Sequence, residues 1–176
     1  NKSYVAVTDK DEVTVLGDRT CGVLAGVRGA DCPDGIAYAP DERQSFVTDE
    51  QGGNDLIIDG TTNARVGLIP RGGEAGNTHY DGVSHCLLVA VQTKNDLAAI
   101  VPVSGKIVQR YDLPGSDHPH GFTIDVPDRL AFISCEGNGA LIALDLRSMK
   151  PVQRLKGPDD PDVLAWDPAW RRLYVS

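Results

Sequence analysis

The chain has 176 residues, 41% hydrophobic and 24% charged, with a formal net charge of -8. That apolar content is enough for a real core and excludes disorder by composition. The 17 basic residues are scattered through an acidic chain, which excludes a phosphate-binding surface of the nucleic-acid type. No apolar run approaches the ~18 to 20 residues a membrane-spanning helix needs.

The elements repeat. The chain opens on the strand-like Tyr4-Val5-Ala6-Val7, and the stretch Pro33-Asp34-Gly35-Ile36-Ala37-Tyr38 then sets a pattern. It returns as Ala75-Gly76-Asn77-Thr78-His79-Tyr80, as Pro119-His120-Gly121-Phe122-Thr123-Ile124 and as Pro161-Asp162-Val163-Leu164-Ala165-Trp166, at intervals of 42, 44 and 42 residues. A second apolar segment follows each of these: Ser45-Phe46-Val47-Thr48, Leu87-Leu88-Val89-Ala90, Leu130-Ala131-Phe132-Ile133 and Arg172-Leu173-Tyr174-Val175. An Asn opens the next segment in Asn54-Asp55-Leu56, Asn95-Asp96-Leu97 and Asn138-Gly139-Ala140, and Val108-Gln109-Arg110 is echoed by Val152-Gln153-Arg154.

Within a repeat the apolar residues alternate or form short runs, and Gly, Pro, Asn and Asp stand between the runs. No sustained i, i+3, i+4, i+7 face occurs, so helix is expected to be nearly absent. Each unit holds about four strands, which in the second full unit fall near 77–81, 86–92, 96–102 and 106–112. Four antiparallel strands per ~40 to 45 residues is the signature of a β-propeller blade. The expected fold is therefore all-β, a propeller of four-stranded antiparallel blades with about four blades present. The divisions are a partial blade over 1–32, blades over 33–74, 75–118 and 119–160, and a partial blade over 161–176. A ring of six to eight blades would take roughly 260 to 345 residues at this period, so the chain reads as a segment of a larger ring. Open strand edges would then offer a route to self-association.

Four cysteines, Cys21, Cys32, Cys86 and Cys135, form no C-x-x-C pair. Cys21 and Cys32 flank a Gly-rich connection and suit a loop disulfide if the protein is exported, whereas Cys86 and Cys135 read as buried thiols. In a propeller, the starts of the inner strands and the turns between second and third strands converge at one end of the central channel. That brings together Asp34, Asn77, His79, His120 and Asp162, with Asp49, Glu50, Gln92 and Glu136 beside them, as a ligand-binding face. His118-Pro119-His120 is the sharpest local feature, since two imidazoles near the mouth suit metal binding or acid–base work. Glu136 or His79 is the available third ligand for such an ion. Spacing fixes no complete ligand set, so neither a metal nor a cofactor is assigned. His85 falls at the other end of the blade and reads as a surface residue. Trp166 reads as packing between blades, and Asp145 as a turn residue. No G-x-S-x-G elbow, P-loop or dinucleotide fingerprint is present.

These same residues resemble the YVTN-type β-propeller repeat family, which includes the periplasmic YncE-like proteins. The resemblance rests on Pro33-Asp34-Gly35-Ile36-Ala37-Tyr38-Ala39-Pro40-Asp41 with Phe46-Val47-Thr48-Asp49, on Pro119-His120-Gly121-Phe122 with Phe132-Ile133-Ser134 and Ile142-Ala143-Leu144-Asp145, and on Leu173-Tyr174-Val175-Ser176. The second full unit departs, with Ala75-Gly76-Asn77 for Pro-x-Gly and Gly82-Val83-Ser84 for the Pro-Asp turn. The resemblance implies a binding scaffold in a periplasmic or secreted setting, presenting a polar channel face to a small molecule or a protein. It also brings in an enzymatic alternative, a lactonase-like hydrolase with His120 as base and Glu136 or Asp34 as its polar partner. A third reading, independent of the resemblance, is a structural assembly platform.

Overall fold

The computed structural model describes residues 1–176. Seventeen strands and two one-turn 3-10 helices make up the fold. β1 (Lys2–Val7), β2 (Glu12–Gly17) and β3 (Val23–Arg28) form a three-stranded sheet. Three four-stranded sheets follow. The first is β4 (Pro33–Ala39), β5 (Gln44–Asp49), β6 (Asn54–Asp59) and β7 (Arg65–Pro70). The next is β8 (Ala75–Asp81), β9 (Cys86–Val91), β10 (Asp96–Val101) and β11 (Lys106–Asp112), and then β12 (Pro119–Asp125), β13 (Leu130–Cys135), β14 (Ala140–Asp145) and β15 (Lys150–Lys156). β16 (Leu164–Asp167) and β17 (Arg172–Val175) close the chain as a two-stranded sheet. Each strand pairs antiparallel with its sequence neighbour, which is the meander of a propeller blade.

The core lies in the seams between successive sheets. Val13, Val15 and Val27 of the first sheet meet Val47, Leu56 and Ile58 of the second. Phe46 and Ile69 meet Leu87, Val89 and Ile100 in the next seam. The largest seam joins Leu88, Leu97 and Ala99 to Phe122, Ile133, Ile142 and Leu144. Residues of the second and third strands alternate between the two faces of a blade, so one strand feeds both seams, as Leu87 and Leu88 do. Each large side chain buried this way contributes about 1.5 to 3 kcal/mol. The last seam carries Trp166, whose ring packs on Phe132 at 5.1 Å between centroids. The outer strand β15 is exposed along its whole length.

The first strands run side by side around the channel, and their glycines set how closely they approach. A Cβ on Gly35 would meet Asn77, one on Gly76 would meet the His120 backbone, and one on Gly121 would lie 1.9 Å from the Asp162 carbonyl oxygen. The Pro-x-Gly pattern is thus a packing requirement between neighbouring blades. The pairing of each first strand with its second also slips at this point, between Pro33 and Ile36, Ala75 and Thr78, and Pro119 and Phe122. Such bulges bend a strand and re-aim its side chains. Side chains of the second strand satisfy the backbone freed by the slip. Gly35 donates its N–H to Thr48 Oγ1 at 2.7 Å, and Ser134 Oγ donates to the Gly121 carbonyl at 3.1 Å.

At the opposite end, the turn from first to second strand has four residues, and its last residue holds a left-handed backbone. Arg43, His85, Arg129 and Arg171 occupy this position, with φ of 55°, 55°, 57° and 51°. From there three of them reach back to the preceding blade: His85 to Asp41 at 3.0 Å, Arg129 to Asp81 and Arg171 to Asp128 at 2.7 Å. Arg129 and Asp81 form a buried two-bond fork, with Ser84 Oγ and the Val83 N–H as further donors to the same carboxylate. These bonds hold Asp81 down, to about 2, against the burial that opposes them.

The four thiols are unpaired, so Cys21 and Cys32 form no loop disulfide here. Cys135 is buried as expected, while Cys86 is partly exposed at the start of its strand. Asp145 bonds the Arg147 N–H and the Ser148 hydroxyl, a turn role.

Candidate functional site at the channel mouth

Two positions in each blade meet at the mouth. One is the residue in the first-strand bulge, the x of Pro-x-Gly, which is Asp34, Gly76 and His120 in successive sheets, with Asp162 at the equivalent place just before β16. The other is the residue just after the second strand, which is Thr8, Glu50, Gln92 and Glu136. A repeated backbone bond ties the second position to the first: the Glu50 N–H donates to Cys32, Gln92 to Glu74 and Glu136 to His118, at 3.1, 2.9 and 3.0 Å. Thr8 is held by its hydroxyl, which donates to the Pro33 carbonyl at 2.9 Å.

Thr8, Asp34, Glu50, His120, Glu136 and Asp162 line a cavity of about 240 Å³ without a single apolar side chain. His120 sits at its centre with only 6% of its side chain exposed. Nδ1 lies 3.0 Å from Asp162 Oδ1 and 3.5 Å from Glu136 Oε1. On the other side of the ring, Nε2 lies 3.4 Å from Asp34 Oδ2 and 4.0 Å from Glu50 Oε1. Gln92 donates to Glu50 Oε1 at 3.2 Å, and the Cys32 thiol lies 3.5 Å from the other oxygen of Glu50. Asp34 Oδ2 is buried without a hydrogen-bond partner. Gly76 explains how Asp34 and His120 meet although they belong to sheets two apart. Any side chain at 76 would clash with the His120 backbone, so the blade between them contributes none.

Four carboxylates around one imidazole make the mouth strongly electronegative. Burial pushes the Asp34 carboxyl up, opposed by His120 and reinforced by Glu50 and Asp162. Burial likewise pushes Glu136 up, opposed by His120 and reinforced by Asp162, Asp160 and Glu50. Both shifts signal charges held together at a cost, the pattern common at sites with a role beyond stability.

Among the residues expected at this face, Asp34, His120, Glu136 and Asp162 come together, and Glu50 and Gln92 join them. Asn77, His79 and His118 do not line the cavity. Asn77 follows the bulge position and lies over Gly35, because one residue of slip along a strand turns a side chain to another face. His79 sets its ring edge-on against Phe122 at 4.8 Å, and burial pushes its pKa down, so it belongs to a blade seam. His118 is exposed and bonded to its neighbour Asp117, so the two imidazoles of His118-Pro119-His120 do not converge. Asp49 instead accepts from the Asp31 and Gly52 N–H groups. Thr8 is the lining residue that sequence reasoning missed. Its signal was available, since it follows Val7 as Glu50 follows Asp49 in the equivalent strand.

The fold is shared with solved structures. Hydrazine synthase of Kuenenia stuttgartiensis superposes with a TM-score of 0.86 at 15% identity, over 99% of this chain and 51% of that one. This chain is a β-propeller. It spans about half the length of the protein it superposes on. At 15% identity the likeness speaks for architecture, and fold does not carry function. No protein-family profile matches the chain, and no curated protein matches it.

Proposed function

We propose that the propeller is a binding scaffold whose acidic channel mouth holds a small, positively charged ligand. The observation that carries this reading is the cavity lining: four carboxylates, one imidazole and one hydroxyl, with nothing apolar. A typical small-molecule site is larger, about 300 to 1,000 Å³, and mostly apolar. A cavity of about 240 Å³ with this lining suits an ion or a compact cation and repels an anion. The presence of a cavity also speaks against a purely structural platform, in which side chains would fill the face.

The test is a titration of the full chain followed by NMR, with calcium chloride and putrescine as cationic probes and sodium gluconate as an anionic one. Cations should shift signals around His120 and Glu136, and Asp34→Asn with Glu50→Gln should weaken that response at least tenfold. Gluconate binding at this face with no response to either cation overturns the reading.

A second reading, the lactonase-like hydrolase, is favoured by one feature. A carboxylate beside one ring nitrogen orients an imidazole whose other nitrogen can take a proton, and His120 has Asp34 beside Nε2, with Glu136 and Asp162 near Nδ1. Turnover of glucono-δ-lactone that disappears in His120→Ala would establish it. No turnover by the native chain leaves the binding reading ahead.

A further inference from the structure

Building on the cation-pocket reading, we infer that the mouth is a transition-metal site of the zinc type, with His120 Nδ1, Glu136 and Asp162 as protein ligands and Asp34 as the group that orients the imidazole. The argument starts from the one proton a neutral imidazole carries. Asp34 Oδ2 is buried, accepts no hydrogen bond, and has the Nε2 position of His120 3.4 Å away. Nε2 is the ring nitrogen nearest that oxygen, although the pair is not aligned as a hydrogen bond, and a proton there faces a negative charge. The lone pair is then on Nδ1, which lies 3.0 Å from Asp162 Oδ1, 3.5 Å from Glu136 Oε1 and 3.5 Å from the Asp162 carbonyl oxygen, the one hydrogen-bond contact of this ring, which the metal would replace. Three electron-pair donors thus converge with no proton among them, and their ligand atoms all lie within 4.8 Å of one another. A cation resolves that arrangement.

The distances indicate which cation. Ligand atoms bound at about 2.0 to 2.1 Å around a tetrahedral ion lie about 3.3 Å apart. The two nitrogen–oxygen separations, 3.0 and 3.5 Å, bracket that value. A buried imidazole donor selects zinc-like ions over magnesium and calcium, which take oxygen ligands. The carboxylate behind the second ring nitrogen is the usual companion of a metal-bound histidine, fixing its tautomer and raising its basicity. Three protein ligands leave a coordination position open toward the cavity, the pattern of sites that bind or activate a further small molecule. The alternative is that His120 carries both protons and serves as the internal counter-charge to the carboxylates. A doubly protonated ring has no lone pair to offer a metal, so that alternative predicts no uptake that depends on His120.

The experiment is calorimetric titration of zinc chloride into the chelator-treated full chain, repeated with cobalt(II) for its visible absorption. One ion per chain is expected, with a tetrahedral cobalt spectrum. His120→Gln and Glu136→Gln should each weaken binding more than tenfold, and Asp34→Asn about 10- to 100-fold. Glu136→Gln is the safer of the first two for the fold, because that side chain is 27% exposed whereas that of His120 is 6% exposed. Replacing Cys21 and Cys32 with Ser should leave stoichiometry and spectrum unchanged, which excludes thiol ligation. Absence of uptake, or uptake indifferent to His120→Gln and Glu136→Gln, overturns the inference. If zinc and cobalt fail while calcium or putrescine still binds at the mouth, the metal assignment falls and the cation pocket stands. If no cation binds, both fall.

Discussion

The two ends of the blades use charge in opposite ways. At the turns between first and second strands, acids face partners from the next blade: Asp81 faces Arg129, Asp128 faces Arg171, and Asp41 is bonded to His85. At the mouth, Asp34, Glu50, Glu136 and Asp162 crowd round a single imidazole. One end stitches neighbouring sheets together, and the other holds like charges near one another without enough partners. The same backbone repeat produces both, so the difference lies in which side chains occupy equivalent positions. The paired end supports the fold, and the unpaired end is the candidate site.

The comparison is broken most severely at the Asp81 fork. Arg129→Met should cost about 3 kcal/mol in denaturant unfolding, because it leaves a buried carboxylate without its partner. The fork also gives the paired end a pH signature. Asp81 is held at about 2, below its ordinary value, so its stabilising contribution is complete above about pH 4. That contribution declines as pH falls toward 2, and Asp81→Asn should flatten this part of the stability profile. A next, smaller effect is expected from Gly121→Ala, about 1 to 3 kcal/mol, because the added methyl collides with the Asp162 carbonyl and pries the last two sheets apart. Glu136→Gln should do the reverse and stabilise the metal-free chain by about 1 kcal/mol, by removing one of several repelling charges. A loss of stability there would mean that the mouth is balanced internally and would erase the contrast between the two ends. Arg171→Ala should change stability least, leaving the denaturant unfolding curve essentially where it was, since its ion pair with Asp128 is solvent-exposed.

The repeat made most of this architecture legible in advance. Strands expected near 77–81, 86–92, 96–102 and 106–112 are found at 75–81, 86–91, 96–101 and 106–112, because alternation and turn residues mark each boundary. Five of the six lining residues, Asp34, Glu50, His120, Glu136 and Asp162, could be gathered the same way. What the pattern did not show was direction. Asn77 stands one residue past the bulge position, and His79 faces a seam although it sits on the same strand. A bulge changes which side chains share a face, and period-two reasoning carries no mark of it. The pairing of Arg129 with Asp81 was equally hidden, since its partners lie 48 residues apart and meet only because one blade stacks on the next.

Gly76 shows how such a mouth can be re-tuned. By carrying no side chain, it lets Asp34 and His120 meet across the intervening sheet. Each blade therefore offers two slots at the mouth, and a slot can be left blank as well as filled. Exchanging residues in these slots alters charge, donor type and cavity size while the hydrophobic seams stay as they are. Binding preference and structural integrity are in this sense written on separate positions of one repeat, and a blade inherited with a new pair of slot residues would bring a new recognition surface on an unchanged frame.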